Sequence, residues 1–337
     1  MTGELYGTPT DDVWKRVGSR AQVVSVESSI RTDGADAGSR RIHLVNGDLD
    51  VEVLPDRGLD IGQVRIAGVP LAWISPTGFG ALSAEPGGWM RAFGGGLVTT
   101  CGLLSYGAPS VDAGTPHPLH GRYSSLRADV VRAEAGADEL VVEGVVREAE
   151  VFGAHLEVRR RISSAVGSRT LRIDDVIVNR AATQVEPMVL YHLNLGWPVV
   201  DEGTTLSTPA TRVEPRDAEA AAGLTSWARF PTPVAHFPEQ VFRHELPAGE
   251  RTEVRVESDR GPSVRIAFDT AVLPALFQWR VAEEDGHVVL GVEPATTPTI
   301  LGRADARERG LLRPLAPGAT LSLGVEIEAF PGVTPAR

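Results

Sequence analysis

Residues 40–54 read RRIHLVNGDLDVEVL: apolar and polar side chains alternate from Arg40 to Val45 and again from Leu49 to Leu54, with Asn46-Gly47 between the two runs. Alternation with period two is the pattern of a half-buried strand, and Asn-Gly between two such runs is a strong hairpin signal. The stretch therefore reads as an antiparallel hairpin turning at Asn46-Gly47. Asp60–Ile66 and Pro70–Ile74 repeat the arrangement around Ala67-Gly68. Upstream, Ala21–Arg31 reads as a strand. Downstream, Leu140–Val146, Ala154–Ile162 and Thr170–Asn179 alternate in the same way, with residues 163–168 as a turn. Met188–Trp197, Glu253–Ser258, Ser263–Phe268, Leu276–Ala282, His287–Pro294 and Thr320–Phe330 continue the series. Helix is expected in two places only: Thr10–Val17, with Thr10 as N-cap, and Asp217–Ala222, extending toward Trp227. Many consecutive strands with short turns mean antiparallel sheets packed on each other, and strands of this length suit a large sandwich better than a small barrel. The expected fold is mostly β, a large antiparallel β-sandwich with a few short helices. No linker-like segment divides the chain and no fixed-period repeat occurs, so one domain over residues 1–337 is expected.

Composition narrows the chemistry. The chain has 337 residues, 36 of them Gly and 24 Pro, with 33 basic against 44 acidic side chains and a net charge of −11. That balance argues against a nucleic-acid surface, and no apolar run approaches the length of a membrane span. The first residues carry no apolar secretory segment and Cys101 is the only cysteine, so a reducing, cytoplasmic setting is expected. Lys15 is the only lysine, and it falls in the first helical turn, a poor place for Schiff-base or pyridoxal chemistry. There is no G-x-x-x-x-G-K-[ST] loop and no G-x-S-x-G elbow. Chemistry by His, Asp, Glu, Arg, Tyr or a bound metal remains.

Gly87–Tyr123 is a long, Gly-rich, patternless segment that nevertheless holds Trp89, Arg91, Tyr106, His117, His120 and Arg122. Long irregular segments inside compact domains are usually functional or disordered, and the aromatics favour order. His192 lies mid-strand in Val189–Trp197, sharing a face with Leu190 and Asn194. Glu293 follows the apolar run Val288–Val292, and Gln278 and Arg280 alternate with Phe277 and Trp279. Arg57 sits in a turn-like Leu54-Pro55-Asp56-Arg57-Gly58. Each has an ordinary structural reading when taken alone: a hydrogen-bonded strand histidine, a solvated strand end, a surface arginine. His117 and His120 would need His192 or a carboxylate to complete a metal site.

A His-Gly pair after a long loop, a strand histidine near mid-chain and a glutamate near the C-terminus resemble the aldose 1-epimerases of the galactose-mutarotase-like superfamily. More narrowly, Pro55–Gly62 (P-D-R-G-L-D-I-G), His117–Arg122 (H-P-L-H-G-R) and Tyr191–Pro198 (Y-H-L-N-L-G-W-P) resemble an uncharacterised subfamily of it. The resemblance covers the whole chain and implies the family's β-supersandwich. It implies His192 as general acid and Glu293 as general base, with His120 contacting the sugar near its ring oxygen. Arg91, His117, Gln278, Trp279 and Arg57 are the further substrate-binding candidates. Tyr191 stands where the family has asparagine, and Leu193 and Asn194 also depart from its pattern.

The implied reaction is anomer interconversion: a base takes the C1 hydroxyl proton and an acid protonates the ring oxygen as C1–O5 breaks. Rotation about C1–C2 and reclosure then invert the centre. Burial raises a carboxyl pKa and a nearby carboxylate raises a histidine pKa, so both groups are expected to work near neutrality. No cofactor is required, and a small-molecule sugar is the expected partner. Sheet edges could support a homodimer. Two alternatives stand beside this reading. One is a metal-assisted lyase or epimerase acting on a keto- or acidic sugar, using His117, His120 and His192. The other is a non-catalytic carbohydrate-binding protein. Arg57, Arg91 and Arg122 are available to an anionic sugar substituent.

Overall fold

The computed structural model describes residues 4–80 and 88–332; Gly87, the first residue of the long Gly-rich segment, lies outside them. Two antiparallel sheets face each other. Across the larger run Arg212–Pro215, Gln240–Glu245, Ala275–Glu283, His287–Ala295, Leu190–Gly196, Val98–Cys101, Asp60–Ile66, Leu49–Leu54, Arg40–Asn46 and Val24–Ile30, with the short Val69–Pro70 strand on Asp60–Ile66. Across the smaller run Asp129–Ala135, Glu139–Ala149, His155–Ala165, Thr170–Asn179, Thr320–Phe330, Ser263–Asp269, Arg251–Glu257 and Thr205–Ser207. The β-sandwich expected from period-two alternation is the one observed.

The alternation also sorts side chains by face. Tyr191, Leu193 and Leu195 of one central strand, with Leu290 and Val292 of its neighbour, point between the sheets into one extended apolar core. Leu190, Phe277, Ala275, Ala295 and Cys101 point the other way and pack with Tyr106, Met188 and Ala306 in a smaller cluster. That outer face of the large sheet carries the candidate site.

The inter-sheet layer contains one group that hydrophobic patterning does not anticipate. Arg160, 1% exposed, points inward between its outward-facing neighbours Arg159 and Arg161. Its guanidinium bonds both oxygens of Asp175 at 2.9 and 2.7 Å, Asp60 Oδ1 at 3.0 Å and Thr100 Oγ1 at 2.9 Å. Tyr191 donates its hydroxyl to Asp175 at 2.7 Å. A buried charge persists only when paired and hydrogen-bonded in this way.

Several local expectations are corrected. The first hairpin turns at Gly47-Asp48, because Asn46 still pairs with Leu49; the Asn46 side chain is held by Ser164 and Ala165 of the other sheet and by Ser168 in the turn that follows them. Ala67-Gly68 is the turn expected, but after Pro70 the chain makes only isolated bridges at Ala72 and Ile74. Thr10 is the first helical residue rather than its cap. Arg20–Gln22 form a 3-10 turn, so that strand begins at Val24. Ser163–Ala165 continue a strand because Glu139–Val141 extend to pair with them. Short helices at Gly88–Ala92 and Arg303–Glu308 carry too few residues to leave a periodic signal. Among the described residues, no helix is long and apolar enough to cross a membrane.

Candidate functional site

His192 and Glu293 come from adjacent antiparallel strands whose register pairs Leu193 with Val292 and Leu190 with Ala295, which sets these two directly opposite on one face. His192 Nε2 lies 3.4 Å from Glu293 Oε1, with the side chains 6% and 1% exposed. Glu293 Oε2 and His192 Nδ1 have no hydrogen-bond partner. Unsatisfied buried polar atoms are rare in native proteins, and here both members of one contacting pair carry one. Gly291 makes room for the carboxylate: a Cβ there would stand 2.8 Å from Glu293 Oε1 and 2.8 Å from Trp279 Cβ.

Electrostatics departs from the sequence expectation at one group. Burial pushes Glu293 up to about 8, with Glu239 adding to the rise and Arg216 opposing it. His192 is not raised. Desolvation, then the neighbouring His120, hold it well below its ordinary value, while the Asn194 side chain works the other way. At neutral pH both members of the pair are therefore uncharged, the carboxyl holding its proton beside a neutral imidazole. Both groups lose hydration when buried, which disfavours the charged form of each.

His120 reaches the pair from the loop. Its ring lies 5.8 Å from that of His192, edge to face, and 4.8 Å from Trp89. Burial lowers its pKa to about 4. His120 adopts φ +57° and Gly121 φ +74°, and a Cβ on Gly121 would stand 2.2 Å from the Ser105 carbonyl oxygen, so glycine is required there. The loop is stitched by Gly102 N–H donating to the His120 carbonyl at 3.1 Å and His120 N–H donating to that of Gly107 at 2.9 Å.

Aromatic rings wall the site. Trp279 stands edge-on to His192 at 5.3 Å and Phe93 lies 5.4 Å from it. Trp89 stacks on Phe93 at 5.1 Å, and Trp73 touches both Phe93 and Trp279. Trp279 is further fixed by donating Nε1–H to Glu239 at 3.0 Å. Phe93, Trp73 and Asn194 belong to this surroundings, although sequence reasoning did not single them out as site residues. For Asn194, the shared strand face with His192 was the available signal.

The other candidates fall elsewhere. Gln278 projects from the face opposite Trp279, where its amide is occupied by His244 at 3.1 Å and the Trp227 carbonyl at 2.9 Å. Arg57 is buried as a strut, donating to the carbonyls of Ala92 at 2.8 Å and Gly80 at 2.7 Å. Arg91 is exposed on the Gly88–Ala92 helix that carries Trp89. His117 lies beside Arg303, Asp112, Glu150 and Arg307, where burial and Arg303 lower its pKa. It makes no ring contact with His120 or His192. Among the described residues, no group of three or more His, Cys, Asp or Glu side chains is arranged to hold a metal ion. Arg122 stands 3.9 Å from Glu150.

The family pattern described as "Domain of unknown function (DUF4432)" matches residues 36–329. The chain belongs to this family. A comparison with curated proteins gives no match. Among solved structures, this DUF4432 chain resembles a proposed aldose 1-epimerase from Klebsiella pneumoniae, with 24% identity over 92% of this chain and 84% of that one, and a TM-score of 0.81. It resembles a galactose 1-epimerase from Lactobacillus acidophilus at 14% identity, 92% and 100% coverage and a TM-score of 0.63. A galactose mutarotase-like protein from Clostridium acetobutylicum gives 12%, 92% and 99%, and 0.65. These likenesses establish that the DUF4432 chain has the galactose-mutarotase-like fold.

Proposed function

We propose that this protein is an aldose 1-epimerase-type isomerase that interconverts the anomers of a monosaccharide or modified sugar. The observation that carries this reading is the buried, otherwise unpartnered contact of His192 Nε2 and Glu293 Oε1 on an aromatic-walled face. Ring opening needs one proton removed from the C1 hydroxyl and one delivered to the ring oxygen. A pair that shares one proton can do both, since moving that proton from Glu293 to Nε2 leaves a carboxylate base beside an imidazolium acid. Such positioned groups typically contribute ~10²–10⁴-fold each. Trp89, Phe93 and Trp279 offer apolar faces to the C–H face of a sugar ring, and His120 is placed to hydrogen-bond a ring substituent. The metal-assisted alternative needs His117 beside His120 and His192, and among the described residues no such group of three is arranged to hold a metal ion.

The test is anomer exchange by saturation-transfer NMR over neutral and acidic sugars. Acceleration by the wild type that vanishes in both His192→Ala and Glu293→Gln supports the reading. No acceleration on any sugar overturns it.

A further inference from the structure

Asn194 lies two residues beyond His192 on the same strand face and is fully buried. Its Nδ2 donates to the Gly96 carbonyl at 2.9 Å and to the His192 carbonyl at 3.0 Å. Two carbonyl acceptors fix the orientation of the amide, because a flip would set Oδ1 against both oxygens. Oδ1 is thus an acceptor by necessity, and it has no partner. His192 Nδ1, on the same face, has none either. The imidazole's other nitrogen faces Glu293.

We infer that Asn194 is a positioning residue: its Oδ1 and the Nδ1 of His192 are not bonded as they stand, and a small turn of the ring lets Oδ1 take the Nδ1–H, holding the imidazole in the tautomer that leaves Nε2 bare toward Glu293. The opposite tautomer would set the Nδ1 lone pair against a carbonyl oxygen and bury both unsatisfied, which is costly where no water intervenes. With Nδ1–H held, the only proton site left open on the ring is Nε2, so the mobile proton of the pair is confined to the side where substrate sits. Which nitrogen is available in a histidine is set by the bond the other one makes. The role in catalysis rests on the isomerase reading; the tautomer does not.

The experiment is NMR of the substrate-free full chain carrying ¹³C,¹⁵N-histidine, with His192 among the eight histidines identified by its loss in His192→Gln. Wild type is expected to show protonated Nδ1 and bare Nε2 at neutral pH. Asn194→Leu should abolish that preference and lower kcat/KM by at least roughly tenfold. Should the loss of two donors unfold the leucine variant, the wild-type tautomer, read from the ¹⁵N shifts and one-bond N–H couplings of the His192 ring, decides the inference without it. An Nε2–H tautomer in wild type overturns the inference. So does an unchanged tautomer in folded Asn194→Leu. If no sugar is turned over while the tautomer follows these expectations, the isomerase reading fails and the Asn194 contact stands.

Discussion

His192 Nε2 and Glu293 Oε1 face each other at 3.4 Å across two strands, and no other side chain satisfies the second oxygen of that carboxylate. The pair is a unit: either member without the other lacks the group that receives or returns its proton. His192→Ala and Glu293→Gln should each reduce anomer exchange by roughly 10²–10⁴-fold. The double variant should be little worse than the more damaged single one, because residues that act together are not additive. Saturation-transfer rates on the three variants measure this, and losses that multiply would mean independent roles.

The pH profile should have an alkaline limb near pH 8. Glu293 is raised to about 8 by burial, so above that the pair loses its exchangeable carboxyl proton and no acid remains for the ring oxygen. A plot of log kcat/KM should bend near that value and fall about tenfold per unit above it.

Stability follows activity in direction at this carboxyl, both declining as pH rises. A folded-state pKa raised above the ordinary 4.5 gives a contribution present below that value and lost as pH climbs through about 8. Glu293→Gln removes the titrating group. Its Tm should exceed that of wild type by roughly 2–5 °C at pH 9 and converge with it near pH 4–5 in differential scanning calorimetry. An equal offset at both pH values would contradict the assignment.

Arg57 is a strut behind the candidate site. Its guanidinium spans the carbonyls of Gly80 and Ala92, the second at the end of the helix that carries Trp89. Arg57→Ala should raise KM by about tenfold with a smaller change in kcat, and Arg57→Lys should rescue poorly because an ammonium does not present the planar fork. Steady-state constants on both variants decide it.

Much of this was legible in the chain itself. Period-two runs gave the strands around Arg40–Leu54, Thr170–Asn179 and Thr320–Phe330 nearly to the residue. The motif strings pointed to His120, His192 and Glu293, which the fold brings together. Gln278 could have been set aside from the sequence, since strict alternation puts it on the reverse of Trp279. Val98–Cys101 was hidden in the Gly-rich segment because four residues leave no period; yet Thr99 pairs there with His192. Phe93 and Trp73 were invisible for another reason: they lie outside regular strands, and their ring contacts with Trp279 reach residues far away in sequence. Arg160 defied patterning altogether, since its partners Asp60 and Asp175 are 100 and 15 residues away.

That buried arginine has a consequence for the opposite surface of the sheet. Tyr191 and His192 are neighbours in sequence and point to opposite faces, one to Asp175 and the other to Glu293. A slip of the strand by one residue would exchange them, burying the imidazole against the ion cluster and presenting a phenol to Glu293. Apolar side chains line both faces of this strand, so hydrophobicity discriminates weakly between the two alignments. The Tyr191 hydroxyl, which only an acceptor such as Asp175 can satisfy there, supplies the discrimination. The charge cluster thus serves as an index mark for threading the strand, and the alignment of the candidate catalytic pair is decided on the side of the sheet that substrate never meets.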